Sequence, residues 1–178
     1  MRKLRKLDAN GLWELALKAL GAHAHSIGEL RQKLLVRAER VEDVEVTLAR
    51  LREYRYLDDR RYAENFAVAR LENQRFGKIR VSQELRRRRV APALADAAIE
   101  KAYGQTDEIA LIENFIRRKY RTAARTEVFR DDKQLASAYR SLLRHGFSSG
   151  NVLRALKRFA ANPELLDQWE PPPDSPEE

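Results

Sequence analysis

The sequence predicts an all-α fold built from three tandem three-helix, helix-turn-helix-like repeats. Three observations predict it. Apolar residues recur at i, i+3, i+4 and i+7 through most of the chain, and most stripes open on a capping residue. No segment alternates β-branched and polar residues as a half-buried strand would. A pattern also returns: Ser26-x-x-Glu29-Leu30, Val81-x-x-Glu84-Leu85 and Tyr139-x-x-Leu142-Leu143. Its leucines Leu30, Leu85 and Leu142 lie 55 and 57 residues apart. Hydrophobic residues are 43% and charged residues 35% of the 178 positions. That ratio suits a thin, elongated array better than a thick globule.

The first repeat is expected over 1–57. Its first helix runs from Lys6 to Leu20 with Leu12, Leu15 and Ala19 inward, Asp8 or Asn10 as cap and Gly21 at the end. Ser26 and Glu29 form a capping box for a second helix striped by Ile27, Leu30 and Leu34. Glu42 to Tyr54 is the third, striped by Val44, Leu48 and Leu51. The second repeat, 58–105, holds helices over Asp59–Gln74, Ile79–Arg89 and Pro92–Tyr103. Tyr62, Phe66 and Ala69 form the first stripe, and Val81 and Leu85 point inward from the second. The third repeat, 106–163, starts at Thr106 as cap and continues through Asp131–His145. A last helix is striped by Val152, Leu156 and Phe159 and stopped at Asn162-Pro163. The acidic, Pro-rich segment 164–178 cannot bury enough apolar surface to order itself and is expected to be a disordered tail.

Several chemistries find no support. Without cysteine there is neither disulfide nor thiolate. His23-Ala24-His25 is an H-x-H pair with the third histidine, His145, far away, and reads as two solvated loop residues. Gly77-Lys78 lacks the upstream Gly and following Ser or Thr of a phosphate loop. Asp58 and Asp59 are adjacent carboxylates, but capping a helix and favouring its positive end accounts for both. No catalytic, cofactor or metal residue is therefore expected, and the chain is read as a non-enzyme. No apolar run approaches a membrane span, and no long apolar stretch follows the basic start, so a cytoplasmic protein is expected; it is also expected to be a monomer.

Charge is the strongest remaining signal. The formal net charge is +8. Up to Asp59, 12 basic residues meet 10 acidic ones, but from Arg60 to Val90 the balance is ten to three. Binding candidates in the central patch are Arg70, Arg75, Lys78, Arg80, Arg86, Arg87, Arg88 and Arg89. A second cluster comprises Arg117, Arg118, Lys119, Arg121 and Arg125. Clustering like charges costs self-repulsion that a purely structural role does not explain, so a polyanionic partner is expected: single- or double-stranded DNA, met through its phosphates. Four consecutive arginines cannot share one helix face, so at least two of Arg86–Arg89 face water or that partner. Nearby Tyr62, Phe76 and Tyr120 are placed to stack on bases, although aromatics at helical spacing more often belong to the core.

The same stretch resembles a known family. Tyr56-Leu57-Asp58-Asp59, Arg61-Tyr62-Ala63, Phe66, Arg70, Gly77 and Glu84-Leu85 are similar in order and spacing to the core signature of RecX, the bacterial regulator of the RecA recombinase. The family usually carries Gly where this chain has Arg55, and often where it has Arg89. Gly at such places supplies a left-handed helix end, so the turns at Arg55 and Arg89 are left open. The resemblance implies tandem three-helix units in a curved array. It also implies binding to RecA and to its filament on single-stranded DNA. Inhibition of RecA recombinase, ATPase and co-protease activities would follow, and with it control of DNA repair and the SOS response. The contrasting reading is a general DNA-binding helical protein or helix-turn-helix transcription regulator. Arginine-only clusters favour phosphate over base edges and count against it.

Overall fold

The computed structural model describes residues 5–121 and 128–161. Arg125, the stop at Asn162-Pro163 and the tail over 164–178 lie outside the described residues. The fold is all-α: α1 (Ala9–Ala22), α2 (Ile27–Leu35), α3 (Val41–Glu53), α4 (Asp59–Ala69), α5 (Lys78–Arg87), α6 (Pro92–Tyr103), α7 (Glu108–Tyr120), α8 (Asp132–Arg144) and α9 (Ser149–Lys157). A π-helical turn, Arg70–Gln74, follows α4, so the predicted α-helix over Asp59–Gln74 changes its hydrogen-bonding partway. Only isolated bridges interrupt the helical pattern among the described residues: Leu7 with Ala38, and Phe129 with Ala160. Each ties the segment before a helix to the segment after the next helix. No helix among the described residues is long and apolar enough to cross a membrane.

The chain forms two compact units, changing between them at Ala69/Arg70, Val81/Ser82 and Ala102/Tyr103. In the first, Leu12 and Ala16 of α1, Leu30 and Leu34 of α2, and Leu48 and Leu51 of α3 share one core with Leu57. Leu15, expected inward, is only half-buried, and Ala16 takes its place. In α4 the buried residues are Ala63 and Ala67. Tyr62 and Phe66 flank them half-buried, and Ala69 is exposed, so the inward face sits one residue later than the expected stripe. In the second unit Ile112 and Ile116 of α7, Leu135 and Leu142 of α8, and Val152 and Leu156 of α9 share a core with Phe147. Val81 and Leu85 are fully buried, as their spacing requires.

The starts of α1, α2, α4 and α7 follow capping chemistry, whereas those of α3 and α9 carry no side-chain cap. The Asp8 side chain accepts the Gly11 N–H at 2.9 Å. Ser26 and Glu29 form a complete capping box on α2. Asp58 caps α4 through the Arg61 N–H at 3.0 Å. Asp59 does something else: its Oδ1 accepts the Ile27 N–H at 2.8 Å and so serves the start of α2. On α7 the cap is Asp107 and not Thr106, with Oδ1 accepting the Ile109 and Ala110 N–H groups. Glu108 reaches the Asn151 side chain at 2.6 Å and the Ser148 hydroxyl.

Three helices end in one geometry. Arg55, Arg89 and Gly146 have φ of 57°, 59° and 86°, in the left-handed region. The N–H after each reaches back to the Leu51, Leu85 or Leu142 carbonyl, while its own N–H bonds Arg52, Arg86 or Leu143. These are Schellman closures. The chain therefore keeps the turn that glycine would make, with arginine in two of the three places. Left-handed backbone costs a side-chain-bearing residue about 1–2 kcal/mol. Arg55→Gly and Arg89→Gly are each expected to raise unfolding free energy by up to about 1 kcal/mol in denaturant titrations. A loss in both would mean that guanidinium contacts outweigh backbone relief.

Asp59 supplies a pH-dependent expectation. Burial raises its pKa above the ordinary 3.8, the Ile27 N–H opposes this, and neighbouring Asp58 adds to it. The native state then binds the proton more tightly than the unfolded chain. The Asp59 contribution therefore falls as pH rises through the raised value, and the deficit persists at neutral pH. Asp59→Asn keeps an acceptor for Ile27 without the charge. It is expected to be at least as stable as the parent at neutral pH, with the difference shrinking on acidification. Asp59→Ala, which strands the N–H, is expected to cost about 1–3 kcal/mol. Thermal melts across the acid range check both.

Candidate nucleic-acid interface

The signature residues of the first unit prove to be a scaffold organised on Glu29. Its Oε2 accepts the Ser26 N–H at 3.2 Å and the Tyr62 hydroxyl at 3.2 Å, while Oε1 accepts Arg88 Nη1 at 2.8 Å. The Arg88 guanidinium also lies 4.9 Å from the centre of the Phe66 ring, and Phe66 stacks with Tyr62. The Ser26 hydroxyl donates to the Arg88 carbonyl. Burial and the Glu29 charge raise the Tyr62 pKa, keeping the phenol a donor. Burial opposes the Arg88 charge, but the oxygens of Tyr62 and Glu29 outweigh it and raise its pKa. Leu57 is buried beside this network in sequence, whereas Tyr56 is 58% exposed.

The four consecutive arginines therefore divide. Arg88 is half-buried and braces the fold; Arg86, Arg87 and Arg89 are exposed. Arg86 and Arg87 close α5, where cations oppose the negative end of the helix, and Arg89 occupies the left-handed turn. These three are the exposed members of the central candidates in the first unit.

The remaining central candidates belong to the second unit. Arg80 lies 3.8 Å from the centre of the Phe76 ring and its Nη1 donates to the Arg144 carbonyl at 3.3 Å. Arg70 approaches the same ring at 6.0 Å. Arg70, Lys78 and Arg80 are half-buried, while Arg75, left-handed at φ 56°, is exposed. Gly77 is buried because its N–H donates to the His145 carbonyl at 2.8 Å, with Ile79 donating to Gly146 at 3.1 Å. A Cβ on Gly77 would collide with the Gly146 backbone. Burial lowers the His145 pKa and favours its neutral form.

In the second cluster Arg117, Arg118, Lys119 and Arg121 are exposed at the end of α7. Arg117 pairs with Glu113 at 3.9 Å and lies 5.3 Å from the Phe159 ring centre. Lys119 donates to Ser141 Oγ at 2.6 Å. Arg121 ends the helix left-handed at φ 50°. Thus every left-handed non-glycine residue among those described is an exposed arginine: Arg55, Arg75, Arg89 and Arg121.

The three aromatics offered for stacking are engaged in the fold. Tyr62 binds Glu29, Phe76 lies under Arg80, and Tyr120 packs edge-on against Phe129 at 5.0 Å. What sequence reasoning left unread is an aromatic group in the first unit, half-buried Trp13 with exposed Tyr54 and Tyr56, the last named only as a signature residue. Its one legible signal was a pair of tyrosines flanking an arginine at a glycine-type turn. Among the described residues no three His, Cys, Asp or Glu residues gather to hold a metal ion.

Comparisons with known proteins agree with this arrangement. The second three-helix domain of RecX matches residues 58–99. Regulatory protein RecX of Deinococcus radiodurans is 35% identical over 178 residues, covering 99% of this chain and 78% of that protein. Regulatory protein RecX of Trichlorobacter lovleyi is 32% identical over 141 residues, covering 79% and 90%. The crystal structure of RecX from Lactobacillus salivarius superposes with a TM-score of 0.63 over 85% of this chain and 96% of that one, at 16% identity. The chain belongs to the RecX family of regulatory proteins.

Proposed function

We propose that this chain binds RecA and its filament on single-stranded DNA. It mainly inhibits the recombinase, ATPase and co-protease activities of RecA, and so tunes DNA repair and the SOS response in the bacterial cytoplasm. Family membership supports the regulatory role. The observation that carries the nucleoprotein contact is the division among the arginines: Arg88 is spent on Glu29, while Arg86, Arg87 and Arg89 stay exposed, Arg89 in backbone that glycine would adopt at lower cost. Arg75, Arg117, Arg118, Lys119 and Arg121 are the corresponding candidates of the second unit, with Arg125 beyond the described residues.

A monomer of three tandem repeats, 1–57, 58–105 and 106–163, followed by the tail over 164–178, is part of the same reading. The repeat division is supported by a docking that recurs. The start of α2 meets the turn after α5, through Ser26 and Arg88 and the close approach of Gly28 to Arg89. The start of α5 meets the turn after α8, through Gly77 and His145. Repeated modest contacts along a filament add through effective concentration.

The test is inhibition of RecA's DNA-dependent ATPase at substoichiometric ratios. Replacing Arg86, Arg87 and Arg89 by Ala is expected to weaken binding similarly across DNA sequences. It should flatten the log–log salt slope by about two, at about −0.7 per phosphate contact on single strands, and relieve inhibition with the melting temperature near the parent's. Arg88→Ala is expected to behave oppositely, losing about 1–3 kcal/mol of stability because Glu29 is left without its cation. A triple variant that inhibits as well as the parent would move the contact to the α7 cluster.

A further inference from the structure

Three aromatics of the first unit, half-buried Trp13 and exposed Tyr54 and Tyr56, gather where α3 ends. Trp13 of α1 meets Tyr54 edge-on with ring centroids 6.0 Å apart, and Tyr54 lies 6.2 Å from Tyr56 at a 38° tilt. Arg50, one turn before Tyr54, sets its guanidinium 4.2 Å from the centre of the Trp13 ring and 5.6 Å from that of Tyr54. Trp13 is thus already covered, and the two tyrosines, 54% and 58% exposed, are the open rings.

Ordinary packing does not account for this. The residue after each left-handed turn normally folds back onto its helix. Val90 and Phe147, in that position after Arg89 and Gly146, are buried; Tyr56, in the same position after Arg55, is not. Arg55 itself stands between the tyrosines in a strained conformation, and such strain concentrates where function requires it. Arg50, Arg52 and Arg55 are all exposed here, against Glu53 within the segment and Asp59, which lies within reach of the Arg52 charge.

We infer that this face holds the unstacked bases of a single-stranded nucleic acid, Tyr54 and Tyr56 stacking on neighbouring bases while Arg50, Arg52 and Arg55 meet the phosphates. Every base has a π-face, so the hold is tolerant of sequence, and guanidinium groups beside the rings add cation–π attraction. A duplex hides those faces, so the platform selects single strands. The inference deepens the filament reading by giving the chain its own grip on the strand, separate from the arginines of α5.

The experiment uses the full chain carrying Trp169→Phe, which leaves Trp13 as the one indole of the two. It is titrated with oligothymidylate and with an abasic oligodeoxyribose phosphate of equal length. Oligothymidylate is expected to change Trp13 emission. Tyr54→Leu with Tyr56→Leu is expected to weaken oligothymidylate binding roughly tenfold or more, and to leave abasic binding unchanged. Tyr54→Phe with Tyr56→Phe, which keeps the rings, should bind as the parent does. If the double Leu variant fails to fold, Tyr56→Leu alone gives the same comparison with a smaller loss. Equal affinity of the Leu variant and the parent for oligothymidylate overturns the proposal, as do equal losses on both polymers. A Leu variant that binds oligothymidylate normally but no longer inhibits RecA assigns the face to a protein partner and overturns it too. The Arg86, Arg87, Arg89 variant run in parallel should lose affinity for both polymers. If it does not, the α5 surface fails while the stacking face still stands or falls on its tyrosines.

Discussion

The N–H groups that open a helix have no partners within it, and in this chain the starts of α2 and α5 draw some of theirs from distant residues. Ile27 is served by Asp59, thirty-two residues on, and Gly77 and Ile79 by the carbonyls of His145 and Gly146. The backbones must come very close for this, which explains why small residues stand at the contacts. Gly28 faces Arg89, and Gly77 faces Gly146. The left-handed turns follow from the same need, because they present carbonyls to the incoming helix while closing their own.

Glu29 extends that constraint into side chains. A half-buried carboxylate needs its oxygens satisfied, and here an N–H, a phenol and a guanidinium share the task. One consequence is that a residue drawn from a conspicuous basic run becomes part of the framework. Lysine would not replace it, since a point charge on a flexible stem cannot both pair with Glu29 and set a delocalised cation beside the Phe66 ring.

How much of this was legible in the sequence depended on the range of the interaction. Stripe residues such as Leu48, Leu85 and Val152 are buried where 3.6-residue periodicity puts them, and the caps at Asp8 and Ser26 are local chemistry. The inward face of α4 was misplaced by one residue because Ala63 and Ala67 carry little hydrophobic signal beside Tyr62 and Phe66. Their burial reflects close approach and not side-chain size. Asp59 looked like half of a local cap, yet its partner is distant in sequence. The separation of Arg88 from Arg86, Arg87 and Arg89 was equally hidden: helix geometry shows that the four cannot share a face, but only the position of Glu29 shows which one turns inward. Tyr54 went unread, and Tyr56 stood only as a signature residue, because nothing in periodicity distinguishes an exposed ring from a buried one at a helix end.

The left-handed arginines also decide where a protease meets the chain. Arg55, Arg75, Arg89 and Arg121 are exposed and sit at joints between helices, and none precedes proline. Exposed turns are the preferred sites of nicking, since a helix must first unwind to enter an active site. Trypsin is therefore directed to the seams of this protein and spares most of the arginines inside its helices. Limited digestion should release whole helical segments, and a bound polyanion lying over those turns would leave its footprint as the seam that is no longer cut.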